Sequence, residues 1–199
     1  MKVVLALATG LLALAGGSAA LAADGVLDQA NLGMDVGLNG VGYQWQQQIT
    51  AGLGGRLTGI SLWGGYAARV RIAKGDAFST GPFVFSQMVD FGPPGTEKLF
   101  IDTRAANIVL SAGDTFVIDL SDAVDGYGAS SVPYAGGDLW ITDPVFYTTP
   151  FNYTAAHGTS LRFETYMDAV PEPATWAMMI AGFGLAGGAL RRRAGPQAA

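Results

Sequence analysis

The chain has 199 residues, no cysteine and a formal net charge of −5 at pH 7. Residues 24–170 hold seven basic and fifteen acidic side chains, which gives this central part a net charge of −8. A surface of that sign repels phosphate backbones and argues against a nucleic-acid partner. Without cysteine the chain has no disulfides, no thiol nucleophile and no thiolate metal site, so a packed core must stabilise it.

The N-terminal segment has the pattern of a signal peptide. Lys2 precedes an apolar stretch from Val3 to Ala15, and small residues follow it. Ala20 and Ala22 have the A-x-A spacing that leader peptidases recognise. The pattern predicts a signal peptide over residues 1–22 and a mature chain that begins at Ala23.

The middle of the chain, residues 23–169, alternates apolar and polar side chains with a period of two. In "TFVIDL", for example, Phe116, Ile118 and Leu120 share one face, and "ARVRIAK" and "SLRFETYMD" repeat the pattern. Such alternation is typical of strands with one buried and one solvated face. Turn sequences such as "AKGD" and "GPPG" separate the segments. We therefore expect an all-β domain, an antiparallel β-sandwich of roughly eight to ten strands.

Several of these segments also resemble jelly-roll domains of secreted bacterial proteins. The resemblance rests on "LTGISL", "LSAGDTFVIDL", "YAGGDLW" and the closing "LRFETY". It implies a jelly-roll-like sandwich, and its motifs are structural rather than catalytic.

The stretch "IDLSDAVDGYG" is a weak calcium candidate. It carries Asp119, Asp122 and Asp125, and oxygen-rich loops bind calcium in many extracellular domains. The spacing differs from that of the EF-hand loop, and Asp119 falls at a predicted strand end, where an outward carboxylate is ordinary. We therefore expect no cofactor, with calcium at these three residues as the alternative.

An aromatic-rich stretch covers residues 127–153. Sugars stack on aromatic faces, so Tyr127, Tyr134, Tyr147 and Tyr153 are candidate glycan contacts. The alternative is that aromatic side chains here fill the core, as large apolar residues commonly do.

The sequence contains no recognisable catalytic motif. His157 is the sole histidine, and no G-x-S-x-G frame accompanies it. The acidic residues show no spacing that identifies a glycosidase pair. We expect no catalytic residue; a pair of carboxylates converging in a cleft would instead favour a secreted hydrolase.

The C-terminal tail combines three elements. The triplet Pro171–Glu172–Pro173 comes first, and its prolines enforce an extended backbone. Residues 174–190 carry no charge and are just long enough for a transmembrane helix. Arg191, Arg192 and Arg193 follow, which predicts that residues 194–199 form a cytoplasmic tail and that the domain lies outside.

These elements, in this order, closely resemble the PEP-CTERM sorting signal over residues 170–193. The resemblance implies that an exosortase, a membrane-embedded peptidase, recognises Pro171, Glu172 and Pro173 and cuts near them, while Arg191–Arg193 hold the precursor in the inner membrane. We expect an exported, non-enzymatic cell-surface or extracellular-matrix protein of a biofilm. The alternative is a carbohydrate-binding module that attaches to exopolysaccharide.

Overall fold

The computed structural model describes residues 25–33, 35–78, 82–93, 98–169 and 179–185. A short helix, α1 (Tyr153–His157), and a 3-10 turn (Arg104–Ala106) accompany the strands, and residues 179–185 are helical. The strands are β1 (Val26–Asn31), β2 (Val36–Leu38), β3 (Gln44–Thr50), β4 (Gly55–Leu62), β5 (Ala67–Lys74), β6 (Phe83–Asp90), β7 (Leu99–Asp102), β8 (Val109–Leu110), β9 (Thr115–Ser121), β10 (Tyr127–Ser130), β11 (Leu139–Thr142), β12 (Phe151–Asn152), β13 (Ser160–Leu161) and β14 (Phe163–Ala169).

The strands form three antiparallel sheets. One runs β1-β14-β4-β7, with β8 also paired to β4, and a larger one runs β12-β11-β3-β9-β5-β6. A small sheet joins β13, β10 and β2. Four strand pairings are nested along the chain, so that each pair encloses the previous one in sequence: β5 with β6, β4 with β7, β3 with β9, and β1 with β14. The all-β class predicted from the sequence is confirmed.

Buried side chains from all three sheets form one hydrophobic cluster. Phe116, Ile118 and Leu120 of β9 lie in it with no exposed surface, as their alternation predicted. Phe163 and Met167 of β14 are equally buried. Each side chain of this size contributes about 1.5–3 kcal/mol when it is removed from water, so this cluster is the main source of stability.

The outer face of the six-stranded sheet, which points away from the core, is less exposed than simple alternation of buried and solvated side chains predicts. Val117 and Gln46 are buried there, although they point away from the core. Residues 75–78, which follow β5, lie over this face: the Ala77 amide donates to Gln48 Oε1 at 3.4 Å, and the Phe78 amide donates to Gln46 Oε1. Residues 75–78 therefore cover part of this face, which the alternation within the strands does not predict.

The first and last strands of the domain are neighbours. Val26 at the start of β1 is opposite Met167 near the end of β14. Asp28 of β1 also accepts hydrogen bonds from the Gly52 and Leu53 amides, in the turn between β3 and β4. The end of β3 therefore lies at the same end of the domain as both chain termini of the fold.

Most of the predicted targeting elements lie outside the described residues. These are the signal peptide with Ala20, Ala22 and Ala23, the triplet Pro171–Glu172–Pro173, and Arg191–Arg193. Of the predicted anchor over residues 174–190, only the helical residues 179–185 are described. Among the described parts of the chain, no helix is both long and apolar enough to cross a membrane.

Candidate functional site

A network of polar side chains lies on the outer face of the six-stranded sheet. The strand register places Arg71 of β5, Asp119 of β9 and Gln46 of β3 directly opposite one another. Asp119 has no exposed surface, and its carboxylate accepts hydrogen bonds from Arg71 Nε at 2.7 Å, Gln44 Nε2 at 2.6 Å and Gln46 Nε2 at 2.9 Å. A buried charge needs such partners, because burial removes several kcal/mol of hydration energy and these hydrogen bonds compensate for the loss.

This burial corrects the sequence interpretation of Asp119. The carboxylate does not face solvent at a strand end, because the outer face is covered and three donors surround it. Asp122 lies beyond the end of β9 and forms an ion pair with Arg69 at 2.7 Å, and Asp125 follows in the next loop. Within the described residues, which include all three aspartates, no group of three or more metal-ligating side chains could hold an ion.

A cleft of about 720 Å³ opens beside this network. Its walls come from the start of β3, the ends of β9 and β11, and the middle of β5. The lining side chains include Tyr43, Gln44, Arg71, Asp122, Thr142 and Asp143. No sequence motif indicated this site, since its residues lie far apart in the chain. The polar alternation of Gln44, Gln46 and Gln48 was the one available signal, and only the register shows what those side chains face.

Asp143 fixes the shape of one rim of the cleft. Its carboxylate accepts hydrogen bonds from the backbone amides of Val145 at 2.6 Å, Phe146 at 2.7 Å and Tyr147 at 2.9 Å. Desolvation alone would raise the pKa of Asp143, but the three amide donors outweigh it and lower the pKa below its usual range. Asp143 therefore stays ionised and acts as the core of a rigid turn.

This environment bears on the hydrolase alternative, because Asp122 and Asp143 both line the cleft. Glycoside hydrolysis needs one carboxyl group whose raised pKa keeps it protonated as the general acid. The pKa of Asp143 is shifted in the opposite direction, and Asp122 is exposed and ion-paired to Arg69. Asp143 therefore does not have the environment of a general acid.

Four aromatic rings in and beside α1 are neighbours in space, in the order Tyr147, Phe151, His157 and Tyr153. We call them the aromatic row. Their successive centroids are 5.0, 6.3 and 4.3 Å apart. The helix is held in place by its N-cap, Asn152, whose Oδ1 accepts from the Ala155 amide at 2.8 Å. The rings are half-buried except that of His157, which is exposed. The row is therefore partly accessible from solvent.

The four tyrosines predicted as glycan contacts lie in different environments. Tyr147 and Tyr153 belong to the aromatic row. Tyr127 is only 3% exposed and lies in the core cluster, where burial raises the pKa of its hydroxyl, so its assignment as a glycan contact is wrong. Its position on β10 points the ring at Phe91, with centroids 6.4 Å apart.

Tyr134 is half-buried and structural. Its ring packs edge-on against Phe163 with centroids 5.0 Å apart, and its hydroxyl donates to Gln29 Oε1 at 2.9 Å. Burial, with a smaller effect of the Asp28 charge, raises the pKa of Tyr134 to about 12. The Tyr134 ring and hydroxyl are therefore both engaged within the domain, and Tyr134 is not part of the aromatic row.

The sole histidine lies at the end of α1. Its ring stacks beside Tyr153, and within the described residues no hydrogen bond joins that ring to a serine or a carboxylate. The geometry of a nucleophile, base and orienting acid is not assembled around His157.

The chain leaves the domain where β14 ends, at Ala169. The predicted sorting signal begins at the next residue. Residues 169–193 match the PEP-CTERM protein-sorting motif. The PEP-CTERM motif marks an exported protein that stays anchored in the membrane until an exosortase cleaves it. The matched range contains both Pro171–Glu172–Pro173 and Arg191–Arg193.

The PEP-CTERM motif covers only the tail and leaves the β-domain unassigned. No curated protein and no solved structure matches the chain. The role of the domain therefore has to be argued from its own surface.

Proposed function

We propose that the protein is a non-enzymatic component of the cell surface or extracellular matrix, made as an inner-membrane precursor and released or transferred by exosortase cleavage near Glu172. The observation that carries the proposal is the PEP-CTERM match, which begins at the last residue of β14. The peptidase can thus remove the tail without cutting into the sheet, and the folded domain is the product.

The strand order supports a jelly-roll-like sandwich as the form of that product. Jelly rolls arise when a long antiparallel hairpin is wrapped into two sheets, so that nested pairs alternate between the sheets. Here β1–β14 and β4–β7 lie in one sheet, and β3–β9 and β5–β6 lie in the other.

Export and processing are tested together by substitution in the tail. Glu172→Ala should block cleavage and leave uncut precursor in the inner membrane with its domain outside, because the change lies before the apolar run. Arg191–Arg193→Ala should instead disturb orientation, since the positive-inside signal is lost. Mass spectrometry of the native surface protein should find Ala23 at the N-terminus and no residues of the tail. Normal processing of Glu172→Ala would refute exosortase recognition of the triplet.

A second candidate function is attachment to exopolysaccharide. The aromatic row favours it, because its four neighbouring residues are partly open to solvent and sugar rings pack on aromatic surface. Retention of the surface protein on polysaccharide gels, weakened by Tyr147→Ala or Tyr153→Ala, would support this role. Absence of binding to a broad panel of polysaccharides would exclude it and leave the sorting proposal intact.

A further inference from the structure

The cleft on the outer face of the six-stranded sheet presents an arginine that is already fixed in place. Arg71 Nε is bonded to the buried Asp119, and the Phe83 ring covers the guanidinium face with its centroid 4.0 Å from Cζ. Within the described residues neither terminal nitrogen of Arg71 has a hydrogen-bond acceptor, and the side chain is 23% exposed. A rigid donor pair therefore faces the cleft, and it has little conformational freedom left to lose on binding.

Acceptors lie on the other walls of the same cleft. Asp122 uses one carboxylate oxygen for Arg69, in an exposed pair of the kind that contributes little, and Thr142 and Thr148 are further lining residues that carry hydroxyl groups. Asp122 also adopts a left-handed backbone conformation, with φ of 50°, at the edge of the cleft. Non-glycine residues in that conformation cluster at functional sites.

The mixture of charges narrows the class of ligand. An anionic ligand would meet Asp122 and Asp143, and a cationic ligand would meet Arg71. A neutral ligand with adjacent hydroxyl groups fits both, because each hydroxyl donates and accepts hydrogen bonds. Tyr43 adds an aromatic side chain to the wall, and the volume of about 720 Å³ lies within the range of small-molecule sites.

We propose that this cleft binds a neutral saccharide, with sugar hydroxyls accepting from the terminal nitrogens of Arg71 and donating to Asp122, and with a sugar ring against Tyr43. The proposal deepens the carbohydrate-binding candidate and rests on it, but it assigns the binding to the cleft rather than to the aromatic row. It does not depend on how the protein is sorted.

The test is affinity electrophoresis of the full-length protein in detergent through gels that contain a neutral glucan, galactan, mannan or xylan, with alginate as the acidic comparison. We expect retardation by at least one neutral polysaccharide and none by alginate. Arg71→Lys keeps the charge but loses the paired donors, and Asp122→Asn keeps the shape and tolerates the left-handed backbone while it removes the charge. Each should weaken binding about tenfold or more, as loss of a charge-assisted hydrogen bond does.

Matched controls lie outside the cleft. Arg56→Lys alters an arginine of the other sheet whose ion pair with Asp168 is exposed, and Tyr66→Ala removes a tyrosine that is 48% exposed. Both should bind as the native protein does. Asp122→Asn also protects the test against misfolding of Arg71→Lys, because the Asp122 side chain is exposed.

Three results would overturn the proposal in distinguishable ways. Unchanged binding by Asp122→Asn and Tyr43→Ala, with loss of binding by Tyr147→Ala, would move the site to the aromatic row. Retardation by alginate alone would refute a neutral ligand. Failure to bind any of the gels would remove the carbohydrate role together with the cleft, while correct processing of the same preparation would leave the sorting proposal standing.

Discussion

Replacing Arg71 with methionine should destabilise the domain strongly. The substitution keeps an apolar side chain of similar length under the Phe83 ring but leaves Asp119 without its cation. Asp119 has no exposed surface, so its charge cannot be hydrated without opening the outer face of the sheet. Removing one partner of a buried ion pair costs about 3–5 kcal/mol. Because Gln44 and Gln46 still donate to the carboxylate, we expect about 3 kcal/mol, the lower end of that range.

The assays are urea unfolding and thermal unfolding of the exported protein, each monitored by tryptophan fluorescence. A loss of that size should lower Tm by about 6–12 °C for a domain of this length. Adding Asp119→Asn to Arg71→Met removes the unpaired charge, keeps an acceptor oxygen for Gln44 and Gln46, and should recover most of the loss. A loss below about 1 kcal/mol for Arg71→Met alone would refute the view that Asp119 is a buried anion held by Arg71.

Two further substitutions test the core and the pH dependence of stability. Phe163→Ala should lower the free energy of unfolding in urea by about 3–5 kcal/mol, since the ring has no exposed surface. The control Val109→Ala, at a position that is 53% exposed, should change it by less than about 0.5 kcal/mol. Equal effects of the two substitutions would contradict the assignment of the core. Burial raises the pKa of Asp28 above 3.8, although the amides of Leu53 and Gly52 that donate to it act in the opposite direction. The protonated Asp28 side chain therefore contributes its full stabilisation of the folded state below pH 3.8, and this stabilisation is lost as the pH rises through the raised pKa. Asp28→Asn, which retains an acceptor for both amides, should therefore gain stability relative to the native protein between pH 3 and pH 7, and a difference independent of pH would contradict this environment.

The sequence was sufficient for the fold class and for the strands with the clearest alternation. The inward residues of β5, β9 and β14 are buried because period-two patterning reports directly which side chains face a core. The short strands β2, β12 and β13 lack enough residues to show a period, and α1 depends on the cap formed by Asn152. The helix is only one turn long, and local propensity does not specify so short an element.

The cleft was beyond prediction for a different reason. Period and composition describe one strand at a time, whereas the Arg71–Asp119–Gln46 row exists only after three strands adopt one register. Similarly, the aromatic content of residues 127–153 did not separate Tyr127, which is in the core, from Tyr147, which is not. That distinction depends on which face of a strand or loop meets the opposite sheet.

The pairing of the first strand with the last also decides which way the domain faces. Both ends of the domain leave the fold beside the turn that follows β3, whereas Tyr43 and Gln44 lie at the beginning of β3. With about 3.4 Å per residue, the strand from Gln44 to Thr50 separates the two by roughly 20 Å. The tail of the precursor therefore leaves the domain at one pole, and the mouth of the cleft lies at the other. Cleavage would change what the domain is attached to without changing what can enter the cleft, so the precursor and the released domain should have the same affinity for a ligand.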